Sequence, residues 1–153
     1  MEAEVVRYLL KEEKGKRAVL ARLVLYCAPF LKRLKISAMI WMPEELLEEL
    51  ETLIDEMGIL CERMDQKSGK VLIFLYREET LCRYLMRESQ EAFLLNCGYQ
   101  KGNLKGKIRR FAERISIEKE KGRFPQEAGI FLGYSFEDVE GLSLIHISEP
   151  TRP

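Results

Sequence analysis

Histidine is almost missing from these 153 residues, the single one being His146 near the end of the chain. That shortage excludes most imidazole-based acid–base, nucleophilic and metal chemistry. No uninterrupted apolar run approaches the ~20 residues that a membrane-spanning helix requires. Net charge is missing too: 25 basic side chains balance 25 acidic ones. This excludes a globally basic polyanion binder but leaves room for a local patch. Cys27, Cys61, Cys82 and Cys97 lie 34, 21 and 15 positions apart, with no Cys-x-x-Cys pair. Without nearby histidine, that spacing gives no reason to expect zinc. The polar start Met1-Glu2-Ala3-Glu4 lacks the basic and apolar regions of a secretory signal. A cytoplasmic protein with reduced, mostly buried thiols is the expectation, without cofactor or membrane attachment.

What is present suits one globular domain, given the length and a hydrophobic fraction of 46%. Residues 16–34 carry Val19, Leu20, Leu23, Val24, Cys27, Phe30, Leu31 and Leu34 at helical spacing, interrupted by Pro29. The expectation is a helix buried along that stripe and kinked at the proline, or ending near Tyr26 and restarting. Residues 2–13 offer a further helical turn or two. Residues 37–42 form a short apolar run of strand type. Pro43 then opens a helix with Leu46, Leu47, Leu50, Leu53, Ile54 and Met57 on one face, stopped by Gly58. Its other face is almost entirely Glu and Asp, which reads as an exposed surface.

Residues 59–64 and 70–77 read as a hairpin around the polar loop 65–69. Val71 to Tyr76 is apolar without alternation, which predicts a central strand covered on both faces. Helices are predicted at 78–87 and 89–97. A third is capped by Asn103, with Leu104, Ile108, Phe111, Ala112 and Ile115 inward. Residues 117–123 read as a charged loop, followed by a short helix between Pro125 and Gly133. Ser135 and Asp138 have capping-box spacing for one more. The pattern is α+β: a small sheet of about three strands, with a hairpin, packed by several helices.

The last twelve residues, 142–153, resemble a translated sequencing-library adaptor along their whole length. The expectation is a single domain over 1–141, truncated at its C-terminus, followed by a non-native tail. His146 then belongs to the tail.

Cys27-Ala28-Pro29 and the stretch Phe124 to Gly141 resemble an uncharacterised bacterial domain-of-unknown-function family, number 3793. Members carry Cys-Ala-Pro, an apolar strand like Ala38 to Trp41, and a later strand ending as Leu75-Tyr76-Arg77 does. The family signature Phe-Pro-His-Glu-Ile-Gly…Leu-Gly-Tyr-Pro reads here Phe124-Pro125-Gln126-Glu127-Ala128-Gly129…Leu132-Gly133-Tyr134-Ser135. The motif continues with Glu137-Asp138-Val139 and Gly141. The resemblance covers most of 20–141. It marks Gln126, Glu127, Tyr134 and Asp138 as candidate binding residues. Two departures matter: Gln126 replaces the usual histidine, and Ser135 replaces proline. The resemblance also implies a further segment with cysteines and aromatics, and the expectation is that the truncation has removed it.

Cys27 is the best nucleophile candidate, near Arg22, Lys32 and Arg33, but with no base it reads first as packing. Glu127 with Glu137 or Asp138 offers paired carboxylates, although acids at helix starts are more simply caps. Residues 101–107 miss a phosphate loop by one residue, and Ile108 stands where serine or threonine is required. Lys105, Lys107, Arg109 and Arg110, with Lys101 and Arg114, still make a basic helix suited to an anion or nucleic acid. A solvated face, or pairing with the acidic helix 43–57, explains them equally well. The reading that emerges is a non-catalytic protein binding an unidentified small molecule or protein partner. The alternatives are a thiol-dependent accessory protein using Cys27, and anion or nucleic-acid binding through 101–114, with nucleic acid the less favoured ligand.

Overall fold

The computed structural model describes residues 15–134. In chain order these form α1 (Gly15–Leu31), β1 (Ser37–Pro43), a 3-10 turn (Glu44–Leu46), α2 (Leu47–Glu56), β2 (Leu60–Lys67) and β3 (Lys70–Tyr76). Then follow α3 (Glu78–Leu85), α4 (Glu88–Asn96), α5 (Leu104–Lys119) and α6 (Ala128–Phe131). The expectations on residues 2–13, Ser135, Asp138 and the tail lie outside the described residues. Among the described residues, no helix is long and apolar enough to cross a membrane.

The sheet is antiparallel with order β1-β3-β2. β3 pairs with both neighbours, Ile40 opposite Ile73 on one side and Glu62 opposite Phe74 on the other. Its side chains alternate between two cores, which is why the strand is apolar throughout. Leu72, Phe74 and Tyr76 pack with Trp41, Met64 and residues of α3 to α6. Val71, Ile73 and Leu75 pack with Ile40, Met42, α1 and α2. Each such large side chain taken out of water contributes about 1.5–3 kcal/mol. The molecule is a sheet with helices on both faces, as an α+β chain with a central apolar strand requires.

Several local expectations need correction. The hairpin loop is two residues, not five: Ser68 (φ 51°) and Gly69 (φ 76°) both adopt the left-handed conformation. A turn of that kind matches strand twist, so Asp65, Gln66 and Lys67 continue β2. A bulge between Arg63 and Asp65 lets Met64 turn inward on an otherwise polar edge strand. Pro43 both ends β1, where its missing N–H breaks no ladder bond, and stands at the cap position of the 3-10 turn that leads into α2, so the helical stretch opens one residue after it. The Glu44 N–H then donates to the Gly69 carbonyl, pinning the hairpin turn to the end of β1.

α1 kinks at Cys27 (φ −126°, ψ 18°), ahead of Pro29. The proline thereby falls in the first turn of the restarted helix, where no donor is needed. Leu20, Val24 and Leu34 are exposed, Leu34 at 76%, while Ala18 and Ala21 are buried beside Val19, Leu23 and Phe30. A helix apolar on several faces turns inward the one that fits its neighbours, and the small alanines fit closely here. Met57 is also exposed. Residues 117–119 belong to α5 rather than to a loop.

Candidate functional site

The signature residues Phe124 to Gly129 lead into α6, whose first helical residue follows Glu127. Glu127 stands at the cap position, yet its side chain makes no capping bond. Its carboxylate is instead fully buried, at 0% exposure. Oε2 accepts from the Tyr99 hydroxyl at 2.9 Å and from Arg114 Nε at 2.8 Å, and Oε1 accepts from Arg114 Nη2 at 3.3 Å. Arg114 Nη1 also reaches Glu118 at 3.1 Å, and Glu118 takes a further short bond from Arg123. The expected capping role is therefore replaced by a chain of alternating charges that runs from the buried Glu127 out to the exposed Arg123. Such a chain persists only when every member is satisfied.

The electrostatics follow from that chain. Burial, then the neighbouring Glu127, raises the Tyr99 phenol above its ordinary range, so it stays a donor. The Glu127 hydrogen bonds raise the Arg114 guanidinium further. The Arg123 bond holds the Glu118 carboxyl below its ordinary value. These groups lock α5, α6 and the α4–α5 connection together. Nothing in that arrangement offers a free acid and base at one reacting centre.

The other signature candidates are scattered. Gln126 is exposed and donates from Nε2 to Cys97 Sγ at 3.7 Å. Tyr134 is half-buried, with Lys35 Nζ 4.2 Å from its ring centroid. Asp138 lies outside the described residues. Cys27 is 1% exposed, and burial pushes its thiol up to about 12. A thiol in that environment packs rather than attacks.

The basic helix divides on inspection. Arg110 pairs with Glu113 at 3.1 Å, Arg114 with Glu127 and Glu118, and Lys119 with Asp65 at 2.9 Å. Lys105 and Arg109 are exposed. Pairing with α2 is excluded by topology, because α2 and α5 pack on opposite faces of the sheet. Lys107 is the exception among these cations: it is 7% exposed and its Nζ donates to the Gly102 carbonyl at 2.8 Å. No carboxylate among the described residues forms an ion pair with it.

Lys107 lines an open hollow of about 540 Å³ at the start of α5, with Lys101, Arg110, Asn103, Gly106 and Tyr99. No acidic side chain lines it. Asn103 caps the helix, its Oδ1 accepting from the Gly106 N–H at 2.8 Å. Sixteen residues of aligned peptide dipoles add positive potential at this end. Sequence reasoning named Lys107 and Arg110 but missed Tyr99 and Glu127 as partners, because 28 positions separate them.

A family model described as "Protein of unknown function (DUF3793)" matches residues 23–145. The chain belongs to this family. No curated protein and no solved structure matches. The DUF3793 match runs from the middle of α1 through all three strands and the helices that follow. It therefore contains both the buried Glu127 chain and the hollow at α5.

Proposed function

We propose that this DUF3793 protein is a non-catalytic binding module for a small phosphate-bearing anion, held in the hollow at the start of α5. One observation carries the reading: Lys107 is a buried cation without a carboxylate, in a cavity free of acidic side chains. Lysine is almost never buried unless paired, since an uncompensated buried charge is costly. A phosphate would supply the missing counter-charge to Lys107, with the helix terminus adding to its field. The same feature favours a compact anion over nucleic acid. A polynucleotide needs a broad accessible basic face, and Arg110, Arg114 and Lys119 are already engaged by carboxylates.

The module works in the cytoplasm, where four free thiols are at home, and needs no cofactor. The test is thermal unfolding with inorganic phosphate and pyrophosphate. At ligand concentrations about 100 times Kd the protein gains about 2.7 kcal/mol, and Lys107→Met abolishes the gain. Unchanged melting with both anions overturns the reading. Strong, steeply salt-dependent retention on heparin would favour the polynucleotide instead.

A further inference from the structure

At the end of the sheet where β3 closes, a second hollow of about 720 Å³ lies between the end of α1, Gly58 and the first turns of α3. Three arginines line it, Arg33, Arg77 and Arg83, the last of them paired with Glu79. Arg77 follows β3 and is fixed on one side: Nη1 donates to the Phe30 carbonyl at 3.0 Å, and its guanidinium sits 4.4 Å from the Phe30 ring centroid. Its Nε is shut off from solvent and has no hydrogen-bond partner. Arg33 is exposed, in the loop after α1, with φ at 63°.

No carboxylate among the described residues forms an ion pair with Arg33 or Arg77. Their like charges oppose one another, and Arg77 is held below its ordinary value by burial and then by Arg33. Two glutamates also line the cavity. Glu79 is occupied, donated to by Arg83 at 2.7 Å, and Glu78 forms no ion pair with Arg33 or Arg77. The first turn of α3 has no side-chain cap either. The rest of the wall is softer. Cys82 and Met86 lie one helical turn apart with their sulfurs 3.7 Å from each other, and Met86 is 63% exposed. An exposed, unbranched thioether beside a thiol gives an adaptable apolar surface.

We infer that this hollow binds a small amphiphilic carboxylate, its head group bridging Arg33 and Arg77 and its short apolar chain lying along Cys82 and Met86. Guanidinium groups present paired donors that match the two oxygens of a carboxylate. A head group there cancels the repulsion between the arginines. The chain covers the methionine. The site is separate from the hollow at α5, so failure of either leaves the other standing.

Cys82 supplies the measurement, because a ligand on its wall slows alkylation. Maleimide labelling of the whole chain, resolved by peptide mass spectrometry, reports Cys82 with Cys61 and Cys97 as internal references. With Kd near ~1 mM, octanoate at about 5 mM slows Cys82 labelling about sixfold by mass action. Acetate and 1-octanol at that concentration slow it less than about twofold, each lacking one half of the ligand. Arg33→Asn removes the charge but keeps a residue that tolerates positive φ, so it folds and loses the octanoate effect. Unchanged Cys82 labelling with octanoate overturns the inference. So does equal protection by acetate or by octanol, or octanoate protection that survives Arg33→Asn.

Discussion

Glu127 illustrates how a residue's role depends on what lies across the core from it. An acid at a helix start ordinarily caps the helix, but here the carboxylate turns inward to Tyr99 and Arg114. Removing one partner of a buried pair leaves the other desolvated and unanswered. Glu127→Ala is therefore expected to cost about 3 kcal/mol, read from urea unfolding. Glu127→Gln keeps an acceptor for the Tyr99 hydroxyl and should cost visibly less. Equal losses in the two variants would show that volume, rather than the polar chain, is what matters. Phe131 makes the apolar counterpart of this contact. It stacks on Phe111 with centroids 4.1 Å apart and meets Phe74 edge-on at 6.3 Å. Truncation of Phe131 to alanine is expected to cost about 3–5 kcal/mol in the same assay.

The elements were largely legible from short-range chemistry. Asn103 announced α5 because an amide oxygen three residues before a donor answers an N–H the helix cannot satisfy. Asn103→Ala should cost about 1 kcal/mol, measured by thermal or urea unfolding, and no change would mean that water serves the terminus equally well. Gly133 marked the end of α6 for a reason only partly local. Its φ of 80° favours glycine in any context. In addition, a Cβ there would lie 2.9 Å from Ile36 Cγ1. Gly133→Ala thus meets backbone strain and a clash together, and should exceed the loss of about 1 kcal/mol expected from the conformation alone. Where elements were misplaced, the cause was tertiary. The hairpin strands run on past Met64 because β3 offers partners as far as Lys70. α1 hides its alanines and exposes Leu20 because the sheet and α2 select the face.

Over the whole molecule, titration sets a window of stability. Glu118 has its carboxyl held down by Arg123, so its contribution is complete above the unfolded value of ~4.3 and lost as pH falls through the folded one. Burial pushes Cys27 up to about 12 and Cys61 up to about 11, with Tyr76 and Tyr99 also raised. Those groups stay protonated when folded while the unfolded chain ionises. Their contribution is complete below ~8.5 and declines as pH rises beyond it. Urea unfolding across pH should show a plateau between about 5 and 8.5, falling on both sides. Stability that increases from pH 9 to 11 would contradict the buried thiols. The chain is neutral overall, yet three cations without an ion-pair partner among the described residues, Lys107, Arg33 and Arg77, line two hollows.

Sequence by itself determined the α+β class, the central place of β3, the Asn103 cap of α5 and the family membership. Each of these rests on neighbours within a few residues, where periodicity, turn chemistry and capping act. Tertiary structure alone decided that Glu127 would be buried, that Lys107 would lack a carboxylate, and that Arg33 and Arg77 would share a cavity. These outcomes depend on which side chains meet across tens of residues, and packing resolves that only when the sheet and both helical layers are assembled.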